Sequence, residues 1–261
     1  MRLFASAALL IVVAGVGLAT AGQGRGHPSS LPKTLPKLCG LPEVEGAVVQ
    51  FKAGDGAHLV GAFAGRSGGP VGVVLANPGG GAICNWVSLS GDPKLINALV
   101  ADGDQVLLFD FRGTGRSPKA SGSRLSAFDQ DVLGAVAELR RRGARRIVLV
   151  GASVGGIVSV VAATKLKPPP AAIIGLSATG ISPPFGNSDG RTAAATLHAP
   201  LLLVVAHDDE FSAARSLFKA SPSKDKQLLV VPGNSHGFFG LDPSGPKIRA
   251  RVLTFIRTHT R

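Results

Sequence analysis

The chain contains no tyrosine, a single tryptophan and few aromatic residues of any kind, 5% in all. It therefore lacks a face of interleaved aromatic and basic side chains on which bases could stack, and a nucleic-acid partner is not expected despite a formal net charge of +12. Acidic residues are also scarce, 16 against 28 lysines and arginines. The densest basic cluster is Arg140, Arg141, Arg142, Arg145 and Arg146. It falls at a predicted helix end, where cations complement the helix dipole. The excess charge leaves a weak attraction to an anionic cell surface as an expected property. Cysteine is limited to Cys39 and Cys84, so one disulfide is the most the chain can form; the alternative is two free thiols. No linker-like stretch interrupts the middle of the sequence, and no internal repeat is present, which argues for one domain.

The amino terminus has a different character. Met1-Arg2 leads into an almost unbroken apolar run from Leu3 to Ala21 that ends Ala19-Thr20-Ala21. A short basic start, an apolar stretch and a small-residue ending predict a secretory signal over residues 1–21. The run nearly reaches spanning length, so an uncleaved membrane anchor is the alternative. Either reading places the remainder outside the cytoplasm, secreted or extracytoplasmic. Residues 22–42 are rich in Gly, Pro and Ser and predict a mobile lead-in to a domain over residues 43–261.

Along that domain, short apolar runs alternate with amphipathic stretches. Val44–Phe51 and His58–Ala64, joined by a turn cluster at residues 52–56, predict a hairpin. Val71–Ala76, Gln105–Phe109, Arg146–Val150, Ala171–Leu176, Leu201–Val205 and Leu228–Val231 predict further strands. Helices are expected over Asp92–Ala101, Ser126–Arg142, Gly156–Ala163, Phe211–Ala220 and Lys247–His259, with Ser126 and Asp129 resembling a capping pair. The alternation predicts an α/β fold: a mostly parallel sheet of about eight strands, helices on both faces, and an antiparallel edge from the opening hairpin.

The most informative segment is Gly151-Ala152-Ser153-Val154-Gly155, set between the strand ending at Val150 and the helix beginning at Gly156. A sharp strand-to-helix turn lifts a serine hydroxyl above the sheet. The residues two before and two after it must lack side-chain bulk, and both are glycine. A serine nucleophile needs a base within hydrogen-bond reach, and that base needs an orienting carboxylate. In this architecture the chain order is serine, acid, histidine. His236, in the loop after the last predicted strand, is the candidate base. The acid is expected after the preceding strand, where Asp208 and Asp209 compete. The backbone N–H of Val154 and one from Gly79 or Gly80 in the Gly-rich loop after Ala76 are the candidate oxyanion donors; Pro78 has none to give. The other histidines have no chemical context. No metal or organic cofactor is required by this set.

In order, Asn77-Pro78-Gly79-Gly80, Trp86, Phe109-Asp110-Phe111-Arg112-Gly113-Thr114-Gly115-Arg116-Ser117, the Ser153 turn, Val204-Val205-Ala206-His207-Asp208-Asp209 and Ser235-His236-Gly237 resemble the α/β-hydrolase superfamily across nearly the whole domain. The resemblance implies that fold and the small serine esterases and dienelactone-hydrolase-like enzymes within it. It implies Asp209 as the acid, three residues beyond the small Ala206, and a structural role for Asp110 and Arg112. Asn77-Pro78 departs from the His-Gly that relatives often carry at this point. The stretch from Ser177 to Ala199 leaves room for a loop and a short helix, not a large lid. The expected activity is an exported serine hydrolase acting on a small-molecule ester or acyl substrate. An acyltransferase or peptidase using the same three residues, or a non-catalytic cell-surface module on the same fold, are the alternatives.

Overall fold

The computed structural model of the chain describes residues 31–79, 82–119, 127–180 and 190–261. Its centre is one eight-stranded sheet: β1 (Ala47–Lys52), β2 (His58–Ala64), β3 (Val71–Ala76), β4 (Gln105–Phe109), β5 (Arg146–Ala152), β6 (Ala172–Leu176), β7 (Leu201–Ala206) and β8 (Lys226–Val231). The spatial order is β1-β2-β4-β3-β5-β6-β7-β8. β1 runs antiparallel to β2 and β2 antiparallel to β4, while every other pair is parallel. The fold is the expected α/β-hydrolase fold.

The continuous apolar runs have a physical reason. Successive side chains in a strand point to opposite faces, and both faces of this sheet are covered. Val74, Leu107, Ile147, Leu149, Leu201 and Leu203 enter one core. Their immediate neighbours Val73, Leu75, Val106, Leu108, Val148 and Leu202 enter the other. The first core is closed by α4 (Phe128–Arg141), α5 (Val154–Lys165), α6 (Gly190–Ala194) and α7 (Ala214–Ala220). The second is closed by α1 (Leu35–Cys39), α2 (Ile83–Val87), α3 (Pro93–Ala101) and α8 (Gly245–Thr260). In α4, Val132, Ala135, Val136 and Leu139 form the buried stripe that their helical spacing dictates.

Several expectations are corrected. The lead-in is not mobile from residue 31 onward. Leu35 on α1 is fully buried, its N–H donates to the Gly46 carbonyl at 2.8 Å, and Thr34 bridges to Ala47. Cys39 and Cys84 form a disulfide with Cα atoms 5.3 Å apart, fixing this segment to α2. Closing a loop with a sequence separation of 45 contributes about 4 kcal/mol by restricting the unfolded chain. Helix α4 starts from Ala127 without a side-chain cap, and the Asp129 carboxylate instead accepts from Lys165 Nζ at 2.7 Å. Helix α7 begins at Ala214, because Phe211 and Ser212 are held in a turn by Asp209 Oδ1 and the Ala178 carbonyl. The proposed signal over residues 1–21, the capping Ser126 and the candidate donor Gly80 lie outside the described residues.

The topology itself marks a site. From β3 the chain moves one way to β4, then returns past β3 to β5. Loops leaving the carboxyl ends of β3 and β5 therefore diverge and open a crevice between them, the usual position for ligands in such sheets.

Candidate active site

Ser153 stands at that crevice, between the end of β5 and the first residue of α5. Its φ of 51° is in the left-handed region, which strains any residue carrying a Cβ. The surrounding backbone holds it there: the Ser153 N–H donates to the Leu176 carbonyl at 2.8 Å, and its carbonyl accepts from Gly156 N–H at 3.0 Å. The flanking glycines are required by contact. A Cβ on Gly151 would lie 2.2 Å from the Gly155 carbonyl oxygen, and one on Gly155 would lie 2.3 Å from that of Ala76. The turn is thus packed against both its own exit and the end of β3.

Three side chains from three strand ends meet above it. The Ser153 hydroxyl lies 2.8 Å from His236 Nε2. On the far side of the ring, His236 Nδ1 lies 2.9 and 3.0 Å from the two carboxylate oxygens of Asp209. A carboxylate only accepts, so the proton on the imidazole belongs at Nδ1, and Nε2 is left to accept from the serine. Burial is graded along the row. The Asp209 side chain is fully buried, whereas that of His236 is 30% exposed. Asp209 also accepts from the Phe211 N–H at 3.2 Å, which fixes the carboxylate plane. Asp208, its sequence neighbour, turns outward and pairs with His207 on the surface.

Val154 opens α5, so its N–H has no acceptor within the helix and lies at the positive end of the dipole. Gly79 lies in the turn after β3, across the crevice. Asn77, standing where relatives often carry histidine, is fully buried and donates from Nδ2 to the Phe109 carbonyl at 2.6 Å. It works as a strut between the ends of β3 and β4. Asp110 is buried next to it and accepts the N–H groups of Ile83 at 2.6 Å and Arg116 at 2.7 Å. Burial raises its pKa, and those donors oppose the rise. It ties the start of α2 to the loop after β4, so the segments on either side of the Gly-rich turn are both anchored.

Arg112 forms a second polar group farther away. Its guanidinium bonds Asp131 at 2.6 and 2.9 Å and Asp55 at 2.7 and 3.0 Å. Its backbone N–H gives Asp131 a third donor at 3.0 Å. Burial pulls the arginine pKa down, but the two carboxylates outweigh it and the net shift is upward. Burial pushes Asp131 up to about 6, against the pull of Arg112. The sequence offered no signal for Asp55, which lies in the hairpin turn and meets Arg112 only through the fold.

The sequence model of the alpha/beta hydrolase fold family matches residues 72–225, over half of the chain. No curated protein matches it by sequence. Similar solved structures include an esterase of Pyrococcus furiosus, at a TM-score of 0.70 and 18% identity, covering 87% of this chain and 96% of that one. A monoacylglycerol lipase of Paleococcus ferrophilus superposes with a TM-score of 0.64 at 19% identity, over 77% of this chain and 99% of its own. An enol-lactonase of Burkholderia xenovorans gives 0.62 at 17%, over 79% and 99%. At such identities the likeness is one of fold.

Proposed function

This chain belongs to the alpha/beta hydrolase fold family, and from that premise we propose that it is an exported serine hydrolase that opens ester bonds through an acyl-enzyme. One observation carries the reading: a strained serine whose hydroxyl lies 2.8 Å from a partly exposed imidazole, the other nitrogen of which is held by a buried carboxylate. Neighbours of the same fold named as an esterase, a monoacylglycerol lipase and an enol-lactonase favour an acyl–oxygen bond as the target.

In this mechanism Ser153 Oγ adds to the ester carbonyl as its proton passes to His236 Nε2. The carbonyl oxygen gains the electron pair and becomes an oxyanion. Val154 N–H and a glycine N–H at Gly79 or Gly80 are the assigned donors, and loss of one such donor costs about 10²–10³ in rate. The tetrahedral centre collapses, the bond to the alcohol oxygen breaks, and His236 returns its proton to that oxygen. Asp209 holds the imidazole in its Nδ1–H tautomer and stabilises the cation between the two transfers. Water then repeats the sequence on the acyl-enzyme and releases the acid.

Export rests on the basic start, the apolar run and Ala19-Thr20-Ala21, and is supported by the disulfide between Cys39 and Cys84, a bond favoured outside the cytoplasm. Material exported by cells carrying the full chain is expected to begin at Gly22; a start at Met1 would contradict cleavage. The activity is tested with a fluorophosphonate probe. Labelling is expected at Ser153 and nowhere else, and an unlabelled protein would mark a non-catalytic module. Acyl transfer to an added alcohol or amine in preference to water would point to a transferase.

A further inference from the structure

Most large apolar side chains are buried, and the exceptions are concentrated. Among the described residues, those left exposed are Leu89, Phe211 and Leu241. Leu89 follows the Gly-rich turn in the connection from β3, Phe211 follows Asp209 after β7, and Leu241 follows His236 after β8. All three therefore sit on the loops that leave the carboxyl edge of the sheet, where the site lies. The Leu89 and Leu241 loops are joined to each other by the Gly240 N–H, which donates to the Ser90 carbonyl at 3.0 Å.

Phe211 is the most exposed of the three, at 77%, and the one in contact with the reacting groups. Its ring meets the His236 imidazole edge-on, with centroids 5.7 Å apart. Its N–H donates to Asp209 Oδ1 at 3.2 Å, so its backbone is fixed by the same carboxylate that orients the base. A phenyl ring held in water at this position is a cost without a folding return, because most of its surface gains no burial. A ligand that covers it would recover that burial.

The direction of proton transfer says which part of the ligand does so. His236 hands its proton to the oxygen of the departing alcohol, so the alcohol portion of an ester must lie against the imidazole. The exposed side chain in ring contact with that imidazole is Phe211. We propose that Phe211 is a specificity-determining residue whose exposed ring receives the alcohol portion of the ester, and that the preferred substrates are esters of apolar alcohols. This deepens the serine-hydrolase reading and rests on it.

The test is kcat/KM for alkyl acetates from methyl to hexyl, followed by acetate release, on the wild-type protein and on Phe211→Ala and Phe211→Leu. The ratio kcat/KM reports acylation, the step in which the alcohol departs. Covering about 50–60 Å² of ring and chain corresponds to about a tenfold change. Phe211→Ala is therefore expected to lose about tenfold on hexyl acetate and less than twofold on methyl acetate, with Phe211→Leu recovering part of the loss. Along methyl esters of butyric to octanoic acid the relative rates should follow the same profile as in the wild type. An equal loss on every acetate, or a loss that grows along the acid series instead, would overturn the assignment. Fluorophosphonate labelling keeps the two levels apart. A wild-type protein that does not label overturns the hydrolase reading, whereas intact labelling with an unchanged chain-length profile overturns the role of Phe211 alone.

Discussion

Two three-residue polar groups in this protein are built from the same materials and end differently. Asp55–Arg112–Asp131 and Ser153–His236–Asp209 each bring together side chains distant in sequence, and each has a fully buried carboxylate at its centre of support. In the first, the arginine side chain is 1% exposed and its fork is taken up by two carboxylates. The arginine at its centre is shut off from solvent. In the second, the row ends on a hydroxyl and on a half-open imidazole at a crevice mouth. Closure makes a strut, whereas an open end leaves groups that can still react. Sequence motifs do not draw this line, since D-x-R-G-x-G-x-S is as conspicuous as G-x-S-x-G. What separates them is the number of partners left unsatisfied.

The comparison can be broken at either group. The largest effect is expected at the open one. Asp209→Asn should lower kcat by about 10⁴, because an amide no longer enforces the Nδ1–H tautomer, with little change in the unfolding midpoint. Asp208→Asn should change kcat less than twofold, since that carboxylate faces outward to His207. Equal effects from the two would remove the assignment of the acid. At the closed group the readout reverses. Asp131→Ala leaves a buried arginine with half its partners and is expected to cost about 3–5 kcal/mol in urea unfolding, with turnover per folded molecule unchanged. A smaller loss of stability belongs to the covalent tie at the edge of the fold. Replacing both Cys39 and Cys84 by Ser is expected to cost about 2–4 kcal/mol and to leave kcat unaltered. A large loss of kcat there would mean that the α1–α2 junction shapes the site.

The sequence made some of this legible and hid the rest for identifiable reasons. Strands β2, β3 and β4 fall on the expected residues, because an apolar run bounded by turn residues has sharp ends. The Ser153 turn was readable because the contacts that demand Gly151 and Gly155 are local. His236 was findable by its order after β8. Asp209 and Asp208 are adjacent, and only the turn that directs one inward separates them; the resemblance to known hydrolases chose between them where residue chemistry did not. Helices α1, α2 and α6 are five residues each, too short to show a period. The anchoring of residues 31–42 depends on contacts with Gly46, Ala47 and Cys84, which composition does not encode. The partnership of Asp55 with Arg112 and the place of Phe211 beside the imidazole are likewise products of chain crossing, not of local pattern.

The account stands most directly on the turnover of p-nitrophenyl acetate by Ser153→Ala, measured per folded molecule beside the wild type. A fall of at least about 10⁴ in kcat with an unchanged unfolding curve is the predicted result. Hydrolysis at the wild-type rate by a folded Ser153→Ala protein would contradict it.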